Sequence, residues 1–145
     1  PCLTAFIPML MDTGGNSGSQ ACVSIIRGIS LNEIEFRDLG RVVWKEIRVS
    51  VLCGVCLAIA CFAKIIVVDM LLLKSESVTY LVAFVVCATM AVTVCLAKIV
   101  GSTLPLLAKK IGFDPAVMAS PFITTIVDAL SLLIYFRFAS FLLGI

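Results

Sequence analysis

The stretch SVTYLVAFVVCATMAVTVCLA, residues 77–97, decides how this chain is read, because it holds no charged side chain at all. A bilayer core about 30 Å thick needs about 20 mostly apolar helical residues to cross it, and this stretch supplies them. Working outward, residues 49–68 carry a single charge, Lys64, near the end, where a long side chain snorkels to the interface. Residues 115–141 are apolar apart from Asp128 and Arg137. Residues 3–29 are apolar at both ends but interrupted by Asp12-Thr-Gly-Gly-Asn-Ser-Gly-Ser-Gln20. That interruption is a loop, a broken helix or a glycine-rich helix. The flanks 3–11 and 21–29 are each too short to span alone, which favours one continuous helix. No span alternates polar and apolar residues as a barrel strand would. The expected fold class is all-α: a polytopic membrane helix bundle with about four spans, at 3–29, 49–68, 77–98 and 115–141. Together they make a single transmembrane domain over 1–145, with a cytoplasmic linker at 30–48.

Composition agrees. Of 145 residues, 61% are hydrophobic and only 14% charged, against about 45–50% and about 25% in a soluble globular chain. A domain of 15.5 kDa with a mean hydropathy of +1.18 cannot bury that excess within itself, so the expected solvent is the lipid bilayer. The net charge of +2 is too balanced for a nucleic-acid footprint. The absence of His removes imidazole ligands and the usual general base. No nucleophile–base pair or nucleotide motif points to an enzyme. The seven Cys all lie in apolar stretches and read as small packing residues; this includes the CxxC pair Cys53 and Cys56. The chain opens at Pro1 without a signal peptide and reads as an excerpt of a longer protein.

Orientation follows from charge. Segments 27–48 and 98–110 together hold eight Lys and Arg, against three elsewhere (Lys64, Lys74, Arg137). The positive-inside rule places 27–48 and 98–110 in the cytoplasm, and 69–76 and the C-terminus outside. Residue 1 is then also outside, so an odd number of helices is expected before it. The stretch 31–48 is amphipathic and is expected at the cytoplasmic interface.

Asp128 is the most informative side chain. Asp114-Pro115 reads as a helix start, and the 14 residues from Asp114 to Asp128 cover about 21 Å of helix. A carboxylate at that depth is costly and faces a cavity or a partner. Pairing with Arg137 is the plainer alternative, but it lies nine positions on, more than two helical turns away. Pro121, Thr124, Asp128, Ser131 and Tyr135 recur at spacings of three and four, on one helical face. Such a polar stripe suits a helix lining water. Pro121 would kink the helix and free the Val117 carbonyl. Thr125 and Asn16 complete the pore-lining candidates. Carboxylate, hydroxyl, amide and carbonyl oxygens select Mg²⁺, Ca²⁺ or Mn²⁺ over softer ions. One Asp per subunit, doubled by a two-fold axis, suits a hydrated Mg²⁺. Monovalent cations and protons stay open on this chemistry.

The run Phe6-Ile-Pro-Met-Leu-Met-Asp-Thr-Gly-Gly-Asn-Ser-Gly-Ser-Gln20, with Arg27 closing its helix, resembles the second membrane helix of MgtE-type magnesium transporters. Asp114-Pro-Ala-Val-Met-Ala-Ser-Pro-Phe-Ile-Thr-Thr-Ile-Val-Asp128, followed by Leu132-Leu-Ile-Tyr-Phe136, resembles their last helix. The resemblance covers essentially the whole chain in order and spacing. It implies a homodimeric, Mg²⁺-selective channel with five membrane helices per subunit and an ion path at the dimer interface. It implies metal roles for Asp128 in the path and for Asp114 at a cytoplasmic-side site. It also implies regulatory N-terminal and CBS domains outside this chain, which close the pore when cytosolic Mg²⁺ is high. The rival readings are a proton- or sodium-coupled carrier with Asp128 as coupling site, and a non-conducting membrane scaffold.

Overall fold

A computed structural model describes residues 3–74, 78–118 and 120–144. Four long helices make the bundle: α1 (Ile7–Ser30), α2 (Leu39–Lys64), α3 (Tyr80–Lys110) and α4 (Ser120–Leu143). The described residues contain no strand, and the fold is the all-α membrane bundle expected. Among the described residues, three helical stretches are long and apolar enough to cross a membrane: Phe36–Leu72, Tyr80–Lys110 and Pro121–Leu142. α1 has 24 residues, or about 36 Å, and differs from these in its polar middle.

α3 lies at the centre and packs against α1, α2 and α4, while α1 also packs along α4. The core runs in three tiers down the bundle. Phe6, Ile65, Val86 and Tyr135 fill one end. Cys22, Ala97, Ile123 and Val127 fill the middle. Ile25, Ile29, Val42 and Leu106 fill the other end. Trp44, Leu52, Ile59, Phe84 and Leu133 point outward, as lipid-facing side chains do in a chain with this much apolar surface. Buried hydroxyls bond to carbonyls of their own helices: Thr89 to Val85 at 2.7 Å and Ser131 to Val127 at 2.6 Å.

α1 is continuous through its glycines. Each helical Gly costs about 1 kcal/mol relative to Ala, and close packing offsets it here. A Cβ on Gly14 would come within 2.8 Å of Thr93 Cγ2, and one on Gly18 within 3.0 Å of Ile123 Cγ2. A Cβ on Gly101 would collide with the Gly18 carbonyl, so α1 and α3 touch backbone to backbone. Gly54 meets the Ala91 backbone in the same way on the α2–α3 side.

Several boundaries differ from the sequence expectation. The first connection is only 31–38, and 39–48 form the first turns of α2 rather than a separate interfacial segment. α2 continues as a π-helix over Ile65–Leu72, whose wider turn aligns residues five apart. Lys64 and Asp69 use that register in a 2.7 Å ion pair. α3 runs through Pro105 to Lys110, well past the end expected at 98. Charges mark where a span leaves the lipid, whereas backbone bonding carries the helix on. Lys98 therefore lies inside α3.

A candidate cation path

Asp128 projects from α4 toward α1, where Gly15 leaves room for it. A Cβ on Gly15 would lie 3.5 Å from the Asp128 carboxylate and 3.2 Å from Thr124 Cγ2. Asp128 is half-buried. Among the described residues no ion pair reaches it or Arg137, so the plainer pairing is not found. Asp12 on α1 is near enough for its charge to act on Asp128. Asp12, Asn16 and Gln20 follow one another at four-residue spacing along an exposed stripe of α1. They line one wall of an open cleft of about 430 Å³, whose other wall holds Cys53 and Cys56 of α2 and Lys98 of α3.

Some candidates lie elsewhere. Thr124 and Thr125 each donate their hydroxyl to the Pro121 carbonyl, at 3.0 and 2.9 Å, so both are anchored at the start of α4. Ser131 is buried, its hydroxyl about 3.0 Å from where a Gly14 Cβ would be. It packs inside the bundle rather than facing open space. Tyr135 is likewise buried, and its hydroxyl donates to the Leu3 carbonyl at 2.9 Å. The five-residue stripe thus divides, with Thr124 and Asp128 half-exposed and Ser131 and Tyr135 in the core.

Pro121 also departs from expectation. The chain from Pro115 to Met118 is a 3-10 turn, and α4 opens at Ser120. Pro121 is the second residue of that helix, where a missing N–H costs nothing. It starts the helix and does not kink it. Val117 belongs to the 3-10 turn and is exposed. Asp114 accepts a hydrogen bond from the Ala116 N–H at 2.9 Å, the cap its Asp-Pro dipeptide suggests. It is exposed, just beyond the Lys110 end of α3 and apart from Asp128.

The sequence marks Asp12 to Gln20 as a polar, glycine-rich constellation, but not Gly15 as the seat of Asp128, nor the cleft. The signal for Asp12 was present in its i, i+4, i+8 relation to Asn16 and Gln20. It was absent for Lys98, which pairs with Glu46 on another helix. The arrangement offers oxygen ligands and few of them: no group of three or more His, Cys, Asp or Glu gathers among the described residues. A donor set of this kind suits a hydrated hard cation better than a dehydrated one.

Comparison with known proteins identifies the family. A family model described as MgtE, divalent cation transporter, matches residues 7–138. The magnesium transporter MgtE of Thermus thermophilus is 34% identical over 141 residues, covering 97% of this chain and 29% of that protein. That of Bacillus subtilis is 34% identical over 138 residues, covering 95% and 29%. That of Enterococcus faecalis is 33% identical over 138 residues, with the same shares. The chain thus spans about 29% of the length of these curated relatives. With a bundle of membrane-crossing helices and a polar path of oxygen donors, this multi-pass membrane chain belongs to the MgtE family of divalent cation transporters.

Proposed function

We propose that this chain is the pore-forming part of a Mg²⁺-selective channel that passes hydrated cations down their electrochemical gradient. The carrying observation is the unpaired Asp128, seated against Gly15 and electrostatically close to Asp12. A half-buried acid at membrane depth, with no counter-charge among the described residues, has a cation or water as its natural partner. Mg²⁺ sheds water reluctantly and is commonly held by one or two carboxylates with waters retained. A single chain offers too few ligands by itself. A second copy, placed across the exposed Asp12–Asn16–Gln20 stripe, doubles the acids and closes the path, which is why we assign a homodimer.

Thr124 is the nearest hydroxyl for water-mediated contact, with Asn16 contributing from α1. Asp114, at the end rich in Lys and Arg, fits a cytoplasmic-side metal site that couples the pore to regulatory domains elsewhere in the protein. In this orientation the loop before α3 and the C-terminus are extracellular. An inside-negative potential then drives entry by about 2.3 kcal/mol per charge per 100 mV, twice that for a divalent ion.

The test is Mg²⁺ influx into liposomes carrying the full-length protein, wild type beside Asp128→Asn, with and without an H⁺ or Na⁺ gradient. Influx that needs only the Mg²⁺ gradient and the potential, and that falls at least about tenfold in the variant, supports a channel. Influx that requires the second gradient makes Asp128 a coupling site of a carrier. Unchanged, Mg²⁺-selective influx in the variant removes Asp128 from the path.

A further inference from the structure

Lys98 of α3 and Glu46 of α2 form an ion pair at 3.7 Å, with side chains only 11% and 9% exposed. Charges this deep are retained at a large desolvation cost and leave a strong field if one is removed. The pair also borders the path. Lys98 contributes the one positive charge to the polar cleft, whose acid is Asp12. Its height is set by its neighbours: the Ala97 carbonyl and Gly101 both abut Gly18 of α1. Lys98 therefore enters the cleft level with Ser17 and Gln20. Glu46 lies two turns before Cys53 on the same face of α2, so it reaches Lys98 from the side of α2 and leaves the α1 wall open.

We propose that Lys98 is a selectivity-determining residue and that Glu46 neutralises it so divalent cations can use the cleft. This inference rests on the transport reading above. With the pair intact, Asp12 gives the cleft a net negative charge. Without the Glu46 carboxylate, the Lys98 ammonium offsets Asp12. A fixed positive charge opposes a divalent ion twice as strongly as a monovalent one. The loss therefore appears as a change of selectivity and not only of rate.

The experiment is bi-ionic reversal potential in bilayers holding the full-length protein, with Mg²⁺ on one side and Na⁺ on the other. A permeability ratio does not depend on how many molecules are folded. In Glu46→Gln the Mg²⁺-to-Na⁺ ratio falls about tenfold, and adding Lys98→Gln returns it to within about twofold of wild type. A ratio unchanged in Glu46→Gln, or one that stays low in the double variant, overturns the proposal. Should Glu46→Gln fail to assemble, Lys98→Gln alone decides: a raised ratio supports the proposal and an unchanged one overturns it. Wild type that carries no Mg²⁺ overturns the transport reading itself. Wild type that carries Mg²⁺ and loses it in Asp128→Asn, with the ratio unmoved in Glu46→Gln, overturns this inference alone.

Discussion

Asp128 owes its position to what Gly15 lacks. The carboxylate and the Thr124 methyl occupy the volume a side chain at 15 would need. Gly15→Val is therefore expected to displace Asp128 from α1 and cut Mg²⁺ influx while the protein still purifies intact; wild-type influx would refute this. Asp12 acts at the same scale through charge. Asp12→Asn removes the neighbour whose field reaches Asp128 and is expected to lower Mg²⁺ influx less than Asp128→Asn does. Flux assays on the two variants side by side give the order. Asp114 stands apart from both, so Asp114→Asn is expected to leave ion selectivity unchanged and to alter how conduction responds to cytoplasmic-side Mg²⁺.

At the scale of elements, glycines of one kind in the sequence have opposite roles in the bundle. Gly101 has the α1 backbone against it, whereas nothing lies within 4 Å of a Cβ on Gly40. Gly101→Ala is expected to cost about 1–3 kcal/mol through forced separation of α1 and α3. Gly40→Ala is expected to stabilise by about 0.4–1 kcal/mol. Thermal unfolding in detergent should separate the two in sign. The same scale shows what was legible beforehand. The uncharged run before Lys98, the cap at Asp114 and the continuity of α1 follow from local chemistry and length. The start of α2 at Leu39, the passage of α3 through Pro105 and the burial of Ser131 do not. Each depends on a partner helix: Pro105 is accommodated within a buried stretch of α3, and Ser131 is covered by the glycine face of α1. The Lys98–Glu46 pair was hidden for the same reason, since its members are 52 positions apart in the sequence. For the site, Asp128 and Asn16 were visible as polar residues in apolar surroundings, but the seat at Gly15 needed two helices in place.

Across the whole molecule, the first and last described elements are tied together. The Tyr135 hydroxyl holds the Leu3 carbonyl in the tier that also contains Phe6 and Ile65. Tyr135→Phe is expected to cost about 0.5–1.5 kcal/mol, read as earlier proteolysis near the N-terminal 3-10 turn and a lower unfolding midpoint. The exposed apolar side chains on α2 and α4 and the polar stripe on α1 give the outer surface an apolar side and a polar side. Gly18 against Gly101 adds a mechanical constraint to that division. Where two backbones meet with no side chain between them, there is no rotamer to give way, so the spacing of α1 and α3 is fixed there by peptide atoms alone.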